Sequence, residues 1–68
     1  MNAEKAVFRD VFNFHAERLE HLWEPDFWAH TDALAEALQA RHGGRTGFCA
    51  DLLTAVRIEL GRKRGECE

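Results

Sequence analysis

Pro25-Asp26-Phe27-Trp28-Ala29-His30-Thr31-Asp32-Ala33-Leu34-Ala35-Glu36-Ala37-Leu38-Gln39-Ala40-Arg41-His42-Gly43-Gly44 is the stretch that decides the fold. It opens on a proline, whose fixed φ suits the first position of a helix, with Asp26 beside it. It closes on paired glycines, which stop a helix. Between these marks Phe27, Trp28, Leu34, Ala35 and Leu38 follow helical spacing and trace one apolar stripe. The spacing predicts a helix over about 25–42. Its two boundaries divide the rest of the chain into one segment before and one after.

The segment before predicts a helix over about 3–22, with Asn2 as N-cap and Glu4 in the first turn, where a carboxylate suits the helix dipole. Val7, Phe8, Val11, Phe12, Phe14, Leu19, Leu22 and Trp23 fall on one broad half of it. The segment after predicts a helix over about 46–61, from Thr46 as N-cap to Gly61, with a stripe of Phe48, Cys49, Leu52, Leu53, Val56 and Leu60. Residues 62–68 form a charged tail. No segment alternates as a half-buried strand does, and Tyr is absent. Joints of a few residues make neighbouring helices antiparallel. The expected fold is all-α: one domain over 1–68, an up-down-up three-helix bundle.

A chain of 68 residues has room for one core, and at this size it buries only about 60% of its unfolded surface. Hydrophobic residues make up 46%, with five Phe and two Trp, which places the chain among folded rather than disordered sequences. The net charge of −3 argues against nucleic acid as the main partner. The basic cluster Arg62, Lys63 and Arg64 reads instead as complementing a helix C-terminus, with a nucleic-acid contact as the minority reading. The N-terminus has no apolar signal core and no run reaches membrane-spanning length, so the expectation is a cytoplasmic, reduced protein. Two cysteines, Cys49 and Cys67, are too few for a disulfide framework.

Three polar residues break the apolar stripes. His15 falls mid-arc on the first helix, Thr31 on the stripe of the second, and Glu59 at the edge of the third. Counting about 1.5 Å per residue brings all three to one height, as a buried polar layer. A functional reading makes this a proton-handling or ligand site. The structural reading is a core histidine satisfied by a neighbouring acceptor, since an unpaired buried polar group costs about 1–3 kcal/mol. The structural reading is preferred, because a bundle this small has little room for a cleft.

Trp23, Phe27 and Trp28 crowd one turn and read either as a plug for the end of the bundle or, with the outward-projecting Ile58, as an interaction surface. The four histidines, His15, His21, His30 and His42, show no i, i+4 pair, no HExxH and no CxxC companion, so no metal site and no cofactor is expected. No phosphate loop, nucleophile elbow or triad spacing is present, so the chain reads as non-enzymatic.

The strings Asp10-Val11-Phe12-Asn13-Phe14, Asp26-Phe27-Trp28 and Phe48-Cys49-Ala50-Asp51-Leu52-Leu53-Thr54-Ala55-Val56 with Glu59-Leu60 resemble short all-helical proteins of Gram-positive gut bacteria and their phages or mobile elements. The resemblance implies the helical fold and carries no assigned activity. The function expected is a small protein-interaction module, self-associating or binding another protein, of phage or mobile-element origin. Two alternatives are a nucleic-acid-associated regulator using Arg57, Arg62, Lys63 and Arg64, and a ligand or metal binder around His15 and Glu59.

Overall fold

A computed structural model describes residues 3–43 and 47–66 of the chain. Among them three helices follow in order: α1 (Ala3–Glu20), α2 (Phe27–Arg41) and α3 (Gly47–Lys63). No described residue lies in a strand. The expected caps Asn2 and Thr46, the stop at Gly44, and Cys67 lie outside the described residues.

Contacts between the helices give the topology. Asp10, early in α1, meets His42 at the end of α2, and Arg18, late in α1, meets Thr31 near the start of α2. Arg57, late in α3, reaches Asp32 at the start of α2. Each neighbour therefore runs antiparallel to the last, and α1 and α3 run parallel. Phe8 and Phe48 stack edge to face at 4.9 Å near the N-termini of those two helices. The protein is an up-down-up three-helix bundle.

Its core is a line of small and medium side chains: Val7 and Val11 from α1, Phe27 and Leu38 from α2, and Cys49, Leu53, Val56 and Leu60 from α3. On α3 these follow i, i+4, i+7, i+11, one line down a helix facing its two neighbours. Phe14, Leu22, Trp28, Ala35 and Leu52 pack around the line half-buried.

The helix ends depart from the expected bounds, each for a local reason. Pro25 does not open α2. Asp26 sits in the left-handed region at φ 58° as the N-cap, so the helix begins at Phe27. Gly61 does not close α3; it is buried inside the helix. The stop lies at Gly65, at φ 77°. There the Gly65 amide donates to the Arg62 carbonyl at 3.0 Å and the Glu66 amide to the Gly61 carbonyl at 2.9 Å. This paired closure needs a residue with positive φ, which glycine adopts without strain. The turn also carries the chain back toward the start of α2.

Candidate functional site

A buried polar layer exists, and its centre is Arg18 rather than His15. The spacing Val7, Val11, Phe14, Arg18 continues the buried line of α1, and the Arg18 side chain is fully enclosed. A buried guanidinium is tolerated only when its donors are matched. Nη1 donates to Glu24 at 2.8 Å and to the Thr31 hydroxyl at 3.2 Å. Nε and Nη2 fork onto both oxygens of Glu17 at 2.8 and 3.0 Å. The Arg18 guanidinium also lies 5.5 Å from the centre of the Phe27 ring. Glu17 and then Glu24 raise the Arg18 pKa, and Arg18 in turn holds both carboxyls below their ordinary range. Glu24 also accepts from, or pairs with, His30 Nδ1 at 2.9 Å. Thr31 is thus in the layer, as expected, with a different partner.

The other two expected members are elsewhere. The Glu59 carboxylate is 36% exposed and pairs with Arg62 at 2.9 Å and Lys63 at 3.6 Å on its own helix. His15 is half-buried, and its Nε2 is enclosed without a hydrogen-bond partner. Glu59 therefore does not satisfy His15, and the two do not make a joint ligand site. Among the described residues no group of three His, Cys, Asp or Glu side chains is placed to hold a metal ion.

A second cluster closes the end of the bundle where the α1–α2 joint meets the end of α3. Arg64 is its hub. Its Nη1 donates to the Leu22 carbonyl at 2.7 Å, and its guanidinium lies 4.9 Å from the Phe27 ring centre, 5.3 Å from Trp23 and 5.8 Å from Trp28. Arg57 covers Trp28 at 4.5 Å. Glu66, delivered by the Gly65 turn, accepts from Trp28 Nε1 and from Arg64 Nε, both at 2.7 Å. These are cation–π and charge-assisted contacts of the kind that fix aromatic rings in place.

The cluster corrects the expected interaction surface of Trp23, Phe27, Trp28 and Ile58. Phe27 is 2% exposed and belongs to the core, and Trp28 is half-buried against it at 4.9 Å. Trp23 and Ile58 remain exposed. The basic residues proposed for nucleic acid are engaged internally: Arg57 with Asp32, Arg62 and Lys63 with Glu59, and Arg64 with Glu66.

The largest departure lies on α1. Its apolar arc is wider than its two neighbours cover. Val7 and Val11 are buried, whereas Phe8 is 56% exposed and Phe12 is 70% exposed. Leu19 continues that edge on α1, and Phe48 adjoins it from α3, both more than a third exposed. Phe8, Phe12, His15 and Leu19 stand at i, i+4, i+7, i+11, one stripe along the seam between α1 and α3.

Asp10 Oδ2 and His42 Nε2 meet at 2.8 Å, tying α1 to the end of α2. Burial, and then the nearby Asp10 carboxylate, raise the pKa of the enclosed Cys49 thiol, the opposite of what a nucleophilic cysteine requires. An open groove of about 340 Å³ between α2 and α3 is lined by Asp32, Glu36, Gln39, Thr54 and Arg57 among others, with no His or Cys. No helix among the described residues is long and apolar enough to cross a membrane. In comparisons with known proteins, no family model, no curated protein and no solved structure matches the chain.

Proposed function

We propose that the chain is a non-catalytic protein-interaction module whose contact surface is the α1–α3 seam carrying Phe8, Phe12, Leu19 and Phe48. One observation carries the reading: Phe12, at mid-helix, leaves 70% of its surface in water, with Phe8 one turn away at 56%. Scattered exposed apolar side chains are ordinary, whereas a contiguous aromatic stripe is the signature of a surface that meets another protein. The reading draws further support from the internal pairing of the basic residues, which leaves the aromatic stripe as the most distinctive surface feature.

The test is site-specific photo-crosslinking in cells, with a photoreactive phenylalanine at position 12 and, as control, at the exposed Ala33 of α2. The expected result is a discrete protein adduct from position 12 and none from position 33. Equal or absent adducts at both positions would overturn the assignment of this surface.

A further inference from the structure

We infer that the partner on the α1–α3 seam is a second copy of this chain, paired about a two-fold axis that sets α1 against the other α1, and α3 against the other α3, both antiparallel. This rests on the reading of the seam as a contact surface and adds the identity of what covers it.

Charge placement along the seam is the first argument. On α1, Lys5 and Arg9 flank the stripe in the N-terminal half and Glu20 flanks it at the C-terminal end. On α3 the order is reversed: Asp51 lies near the start, and Arg62 and Lys63 at the end. Antiparallel pairing of the two α1 helices places Lys5 opposite Glu20 of the second copy, twice about the axis. The midpoint between Lys5 and Glu20 falls beside Phe12, near the middle of α1. A parallel arrangement would instead set α1 of one copy against α3 of the other, with Lys5 and Arg9 facing Asp51 but Glu20 facing Glu59 as well as Arg62.

Area is the second argument. An aromatic side chain buries about 150–250 Å². On that scale the exposed parts of Phe8, Phe12, Phe48 and Leu19 amount to roughly 350–400 Å² of apolar surface. A small two-fold interface of roughly 600 Å² per partner, about 65% apolar, needs that much. Ala16, beside Phe12 on the flank of the stripe, leaves space for the Phe12 ring of the second copy next to the axis. The geometry is a six-helix sandwich with the aromatic stripes as its middle layer.

The test is sedimentation equilibrium on the full chain under reducing conditions, up to millimolar concentration. Wild type is expected to dimerise reversibly, and Phe12→Glu to remain monomeric with unchanged helicity and melting, because Phe12 is largely outside the core. Lys5→Glu should weaken the dimer about tenfold, since each reversal strikes two symmetry-related pairs, and Lys5→Glu with Glu20→Lys should restore it. A wild-type chain that is monomeric throughout would overturn the inference, as would a dimer indifferent to Phe12→Glu or a double reversal that fails to rescue. If the chain is monomeric while position 12 crosslinks to a different protein, the second copy is excluded and the contact surface stands.

Discussion

Arg18 shows how one side chain can set the chemistry of a small core. It is enclosed between α1 and α2, and three acceptors from different parts of the chain converge on it: Glu17, Glu24 and Thr31. Removing it strands Thr31 and leaves Glu24 with only His30. Arg18→Ala should therefore destabilise by about 2–3 kcal/mol, below the figure for a fully buried pair because Glu17 and Glu24 keep contact with water. Thr31→Val, which keeps the shape and removes only the hydroxyl acceptor, should cost about 1 kcal/mol. Urea unfolding of the two variants checks both values, and equal midpoints for Arg18→Ala and wild type would defeat the assignment. The sequence held the clue in the spacing 7, 11, 14, 18. A charged residue on an apolar line reads as solvent-facing by default, however, and only the convergence of Glu24 and Thr31 reveals its match. His15 drew attention for the opposite reason: it stands mid-arc in the sequence, but the arc is wider than the core, and the ring rests half-buried with Nε2 enclosed and no acceptor or donor beside it.

The helices themselves were legible and their ends were not. Period-3.6 spacing places all three elements, because burying an apolar stripe is what holds a short helix in place. The ends depend on single backbone conformations that composition does not report. Pro25 and Asp26 both look like helix starters, yet Asp26 takes the left-handed conformation and delays α2 to Phe27. Gly61 looks like a stop, yet it is buried inside α3, and the closing residue with positive φ is Gly65. The two positions call for opposite outcomes under substitution. Gly65→Ala should destabilise by about 1 kcal/mol, because a Cβ in that conformation is strained. Asp26→Gly should be neutral or slightly stabilising, since relief of strain offsets the added freedom of the unfolded chain. Thermal melts of the pair check the sign at each site, and a stabilising Gly65→Ala would mean that the turn closing α3 is misplaced.

At the scale of the whole molecule, carboxylates set the response to acid. Hydrogen bonds from His42 and then Arg9 hold the Asp10 carboxyl below its ordinary value of 3.8, and Arg18 does the same for Glu17 and Glu24, whose ordinary value is 4.5. Arg64 and Trp28 depress Glu66 likewise. A carboxyl whose folded pKa lies below its unfolded value binds its proton more weakly when folded. Its contribution to stability is full above the unfolded value and is lost as pH falls through the folded one. Helicity should therefore hold from neutrality to about pH 5 and fall below it. Asp10→Asn and Glu24→Gln should each flatten that fall in a circular dichroism titration; an undiminished slope in both would show that other groups govern it. The bundle topology was readable from joint lengths, whereas the exposed seam was not, because a helical projection counts apolar residues without knowing how much of their arc two neighbours can cover. The hub around Arg64 has one more consequence. Both indoles of the chain sit at the same end of the bundle, in contact with the same guanidinium, while Phe8 and Phe48 meet at the other end. Intrinsic fluorescence is therefore a local reporter: a red shift records the release of the Arg64–Glu66 clasp, whereas ellipticity at 222 nm records all three helices. Superimposable curves from the two signals would show that the clasp and the far end melt as one cooperative unit.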